Sequence, residues 1–230
     1  MNSIRDEGRE QRYGLALVLI LGSLILIMAA PTGPWTDVFT MVLLGGSLLA
    51  SLRAAQSNAN LRIACTGLVV VATVFALIHA IFTGNDGDLY VRIASLLLVV
   101  VATPVMVHGM VIQVKREKVV TIFTMLGVLC IYLLMALAFA EAFGLIQAAD
   151  GAPFFRSGQG EEDLSNYLYF SITTITTAGL GDFSPAGDLG RSLTAAEALI
   201  GQIYLVTVVA LIVANLGRSP RDRDGSDRDE

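Results

Sequence analysis

The chain has 230 residues, 54% of them hydrophobic and 15% charged, with a formal net charge of −5. Soluble domains carry about a quarter charged residues, so this composition, with a mean hydropathy of +0.68, excludes an ordinary soluble fold. It also excludes a disordered chain, and the acidic balance gives nucleic acid no basic face to bind.

A helical span needs about 20 apolar residues. In chain order the sequence offers Tyr13–Ala30, Val38–Leu52, Ile63–Phe82, Ile93–Val114, Val119–Phe143 and Leu193–Leu216. The expectation is an all-α integral membrane protein with six transmembrane helices. Residues 1–12 form a charged cytoplasmic tail, 13–114 a four-helix membrane domain, 119–217 a second unit, and 218–230 an Arg/Asp-rich cytoplasmic tail read as disordered. The first run is too long for a signal peptide, and Met28-Ala29-Ala30-Pro31 is a poor cleavage site.

Charge placement sets the expected topology. With both termini in the cytoplasm, twelve of the Lys and Arg residues fall inside, and only Arg92, Arg156 and Arg191 fall outside. That is the positive-inside bias of short loops. The expected location is therefore a plasma membrane, read as a bacterial inner membrane. Arg92 stands just before the fourth run, at its outer end, and the run has no repeating Arg or Lys. It lacks the charge ladder of a voltage sensor.

The segment Leu164–Leu180 is too short and too rich in Ser and Thr to span. It reads as a re-entrant pore helix, 164–176, followed by an extended strand, 177–181, with the inner helix at 191–216. Asp163 or Ser165 is a plausible helix cap. Non-helical backbone at membrane depth is tolerated only where it is buried in protein or lines an aqueous path. Gly179 and Gly181, one residue apart, permit backbone angles closed to other residues, so successive carbonyls can face one side. Rings of such carbonyls replace the hydration shell of a bare cation.

Thr176-Thr177-Ala178-Gly179-Leu180-Gly181-Asp182 resembles the pore signature of the tetrameric potassium channels. Tyr169-Phe170-Ser171, Pro185, Gly190-Arg191 and Gly201 also match. The resemblance covers Val119 to Gly217, just under half of the chain. It implies that the carbonyls of Thr177, Ala178, Gly179 and Leu180 line stacked K+ sites, with Gly181 shaping the outer end. Asp182 would brace the filter from behind, with Thr173 and Thr176 in support. Ala178 stands for the usual Val or Ile and Leu180 for the usual Tyr or Phe, both packing behind the filter. Loss of the Tyr hydroxyl bears on filter rigidity and on K+ over Na+ selectivity.

Glu197 lies within the last span, where a carboxyl is costly unless paired or protonated. It is read as a brace to the pore helix, for example near Tyr167 or Thr174, with a role in permeation or gating as the alternative. Gly201 is read as a hinge, with close helix packing as the alternative; Gly45-Gly46 is read as a packing site. His79, His108, Cys65 and Cys130 form no cluster, so no transition-metal site and no cofactor is expected. No nucleophile–base pair or phosphate loop marks an enzyme.

One pore loop per chain implies a homotetramer in lipid. The expected function is passive K+ conduction without voltage gating. A weakly selective cation channel and a non-conducting membrane subunit with the same pore fold are the alternatives.

Overall fold

The computed structural model describes residues 3–29, 34–54, 59–82, 93–101, 103–104, 107, 122–156 and 163–214. Its elements are α1 (Ser3–Ala29), α2 (Pro34–Ala54), α3 (Ala59–Phe82), α4 over 93–101, α5 (Ile122–Asp150) and α6 (Leu164–Ile175). α7 (Asp188–Tyr204), a π-helical turn (Leu205–Val209) and α8 (Ala210–Ala214) continue one another as a single inner helix. All the regular elements among the described residues are helical. Among the described residues the sole β pairing is one isolated bridge, Phe155 to Pro185.

Among the described residues two helices are long and apolar enough to cross a membrane: Thr124–Asp150 and Asp188–Ala214, each of 27 residues. At 1.5 Å per residue each is about 40 Å long, more than the hydrocarbon core requires. α6, with 12 residues, reaches only about 18 Å and cannot cross. The charged joint Lys115–Lys118, Arg92 and the 218–230 tail lie outside the described residues.

Several boundaries differ from the sequence reading. Helix begins at Ser3, within the segment read as a tail. α5 runs on to Asp150, past the end of the run read as Val119–Phe143, because Leu145, Ile146, Ala148 and Ala149 continue it and Gly144 alone is too weak a breaker to end it. The inner helix opens at Asp188 after Gly187. An acid in the first turn suits a helix start.

α1 shows why these helices pack. Ala16, Ile20, Leu24 and Ile27 are buried, whereas Leu15, Val18, Leu21 and Ile25 are exposed. That spacing is one face of a helix. The buried face joins a core shared with Leu134 and Leu137 of α5 and with Tyr167 and Leu168 of α6. α1 thus packs against α2 on one side and against α5 and α6 on the other.

Gly45 and Gly46 permit the close approach of α2 to its neighbours. A Cβ on Gly45 would overlap Val69 Cγ1 of α3, and one on Gly46 would stand 3.4 Å from Leu19 Cδ1 of α1. Small residues at such crossings let helix backbones meet. We expect Gly45→Val to cost about 1–3 kcal/mol by overpacking, read as a lowered thermal midpoint in detergent. Gly22→Ala is the control, because nothing lies within 4 Å of a Cβ there.

Candidate functional site

α6 begins at Asp163, whose carboxylate accepts from the Asn166 N–H at 2.8 Å. This is N-cap chemistry. The helix ends at Thr176, and the backbone then enters a different regime. φ is +60° at Thr177, +51° at Gly179 and +81° at Gly181. The sign alternates, with no positive φ recorded at Ala178 or Leu180. Glycine adopts such angles freely, but a β-branched threonine does so at a cost of about 1–3 kcal/mol.

The pore-helix terminus holds this backbone in place. Thr176 N–H donates to Ile172 O at 3.1 Å, Thr177 N–H to Thr174 O at 2.9 Å, and Gly179 N–H to Thr173 O at 2.9 Å. The strand therefore commits amide protons to the rear, toward α6. Residues Thr176 to Asp182 are exposed in the single chain, Leu180 by 65%. No side chain of this chain buries Leu180.

The other carbonyl at the helix end, Ile175 O, accepts from the Tyr132 hydroxyl of α5 at 2.7 Å. Gly201 of α7 lies against the same point. A Cβ there would overlap Ile175 Cγ1 and stand 2.7 Å from Ile175 O. Glycine at 201 thus has a packing reason in this structure. The π-helical turn begins four residues later, at Leu205. Within it the Thr207 hydroxyl donates to Ile203 O at 2.5 Å.

Asp182 stands just beyond the strand, and its Oδ2 accepts from the Tyr169 hydroxyl at 2.8 Å. That bond to the carboxylate holds the Tyr169 phenol above its ordinary pKa. Thr173 and Thr176 turn their hydroxyls to their own helix, donating to Phe170 O at 3.0 Å and Ile172 O at 2.6 Å. Neither reaches Asp182. The residue that does, Tyr169, is separated from it by thirteen positions, and only the fold reveals the pairing.

Glu197 is fully buried, and its Oε1 lies in hydrogen-bond contact with the Ser171 hydroxyl of α6. The sequence placed this contact near Tyr167 or Thr174. Ser171 occupies the same helical face, one turn from each.

Aromatic packing fastens the loop before α6 to the segment after the strand. Phe154 lies 5.0 Å from Phe143, 5.1 Å from Phe155 and 5.6 Å from Tyr167, centroid to centroid. Phe155 meets Phe183 at 4.7 Å. Arg156 N–H donates to Ser184 O at 3.1 Å, and Ala186 N–H to Phe154 O at 2.8 Å. The loop before α6 is thereby bonded to the segment after the strand. A Cβ on Gly190 would stand 2.8 Å from Phe154 Cε2, so that glycine completes the fit.

Comparison with known proteins bears on this region. Residues 131–218 match the family described as an ion channel. A probable potassium channel protein of Methanocaldococcus jannaschii is 36% identical over 87 residues, which is 36% of this chain and 21% of that protein. The protein LctB of Bacillus caldotenax is also 36% identical over 87 residues, 64% of its length. The chain thus spans about a fifth of the first relative and under two thirds of the second. No solved structure matches. The resemblance read from the sequence stands: residues 131–218 match the ion channel family, and a probable potassium channel is among the similar proteins.

Two substitutions test the geometry. Gly201→Ala should lower the thermal midpoint, because its Cβ would overlap Ile175, at a cost of about 1–3 kcal/mol. Tyr169→Phe should leave the fold intact and free Asp182, read as faster hydrogen exchange of the Phe183 amide. That amide lies 3.2 Å from Asp182 Oδ1.

Proposed function

We propose that the chain forms a potassium-selective channel, a homotetramer whose carbonyl-lined filter is Thr177 to Gly181. The observation that carries this reading is the alternation of φ along that strand, with amide protons of Thr177 and Gly179 turned back to α6. Committed amides on one side leave carbonyls available on the other. Four such strands around an axis would supply rings of oxygen for dehydrated K+. α6 would direct its carboxyl end, with its partial negative charge, toward the same path.

The inner helix supports the assembly. Leu199, Ile203, Val206 and Leu211 are exposed in the single chain. A neighbouring copy would cover part of this face, as it would Leu180. Gln202 and Thr207, also exposed, would face the water-filled path below the filter.

In this reading six helices span a bacterial inner membrane with both termini in the cytoplasm. Conduction is passive and independent of voltage, and no cofactor beyond the permeant K+ takes part.

One observation favours a second reading, a weakly selective cation channel. Leu180 has no hydroxyl with which to anchor the filter, and this chain gives it no cover. Flux separates the two readings. Purified tetramer in liposomes should pass K+ and Rb+ but not Na+. Equal K+ and Na+ flux would select the weaker filter, and no flux from an intact tetramer would point to a non-conducting subunit. Gly179→Ala places a Cβ at φ +51°, costing about 1–2 kcal/mol per chain, and should abolish selective flux with the tetramer retained.

A further inference from the structure

Ser171 poses a question of proton count. Its single hydroxyl proton faces two acceptors, Ala136 O of α5 at 2.6 Å and Glu197 Oε1 of α7. One proton cannot serve both. If it went to Glu197, the Ser171 and Ala136 oxygens would meet lone pair to lone pair. Glu197 Oε2, buried and without a hydrogen-bond partner among the described residues, would then carry charge with nothing to oppose it.

A proton on Glu197 resolves both conflicts. The carboxylic acid donates to Ser171 Oγ, and Ser171 donates to Ala136 O. The unpartnered oxygen becomes a neutral carbonyl, which is far less costly to bury than a carboxylate oxygen.

The surroundings agree. Within the described parts of α5, α6 and the inner helix the single basic residue is Arg191, exposed at the outer end of α7. The ionisable groups of α5 are Cys130, Tyr132, Glu141 and Asp150, and none is a cation. Tyr132 lies close enough to Glu197 for their charges to interact, and its hydroxyl is already given to Ile175 O. Glu197 therefore has no counter-charge within these elements.

We propose that Glu197 is a positioning residue carried as the neutral acid, whose proton begins a relay from α7 through Ser171 of α6 to α5 at Ala136. The relay fixes α6 one turn before its end at Ile175, and so rests on the channel reading only for its effect on selectivity. It ties all three helices at a single hydroxyl. Glutamine can reproduce the donated hydrogen bond, and alanine cannot.

The test has two arms on the full-length protein reconstituted in liposomes. Infrared difference spectra of wild type minus Glu197→Gln at neutral pH should show the C=O stretch of a protonated carboxyl, shifted in Ser171→Ala. Carboxylate bands alone in that difference would overturn the proposal, whether or not the protein conducts. In the second arm, Glu197→Gln should keep the K+/Na+ flux ratio within about twofold of wild type, and Glu197→Ala should lower it about tenfold, the value of one lost buried hydrogen bond. Equal damage by Gln and Ala would also overturn the proposal. Absence of wild-type flux would refute the channel reading and leave the infrared arm to decide this one.

Discussion

The structure turns on how one short helix ends. A helix leaves its last carbonyls without partners, and at membrane depth water does not supply them freely. Here each is provided for in a way that shapes something else. Thr173 O and Thr174 O accept from Gly179 and Thr177, which draws the extended strand onto the helix and sets its φ alternation. Ile175 O accepts from Tyr132, which fastens α5 to the same point. Gly201 is bare so that the inner helix can reach it. Thr177 can hold a positive φ because these bonds fix the residues on both sides of it.

The same logic operates at the outer end with different groups. There the backbone pairing of Phe154 and Arg156 with Ala186 and Ser184 is sealed by rings of Phe143, Phe154, Phe155 and Tyr167. Edge and tilted contacts of this kind add to the area buried. The strand is thus held between two anchors, a hydrogen-bonded one below and an aromatic one above. Tyr169 joins them: its ring meets Phe183 at 5.7 Å and its hydroxyl reaches Asp182.

Much of this was legible in the sequence, for identifiable reasons. Apolar runs set the helices, and the Thr-rich segment was too short to span. Glycines two apart marked the backbone that needs positive φ. Asp163 announced a cap. Sequence reasoning could not find partners distant along the chain. Glu197 was marked as a costly carboxyl, but its partner depends on the rotation of α7 against α6, which no local pattern encodes. Tyr169 was visible as part of a motif, yet its bond to Asp182 exists only once the strand folds back. The hydroxyls of Thr173 and Thr176 bond carbonyls of their own helix, as a threonine hydroxyl in a helix readily does.

The position of α1 carries the argument beyond the matched segment. That segment starts at residue 131, but its core does not stop there. Ala16, Ile20, Leu24 and Ile27 of α1 share one buried cluster with α5 and α6. Interiors packed at this density transmit displacement because neighbouring side chains cannot yield independently. α1 bears on α6, which carries Ser171 and ends where the strand begins. α1 is therefore part of the wall that positions the site.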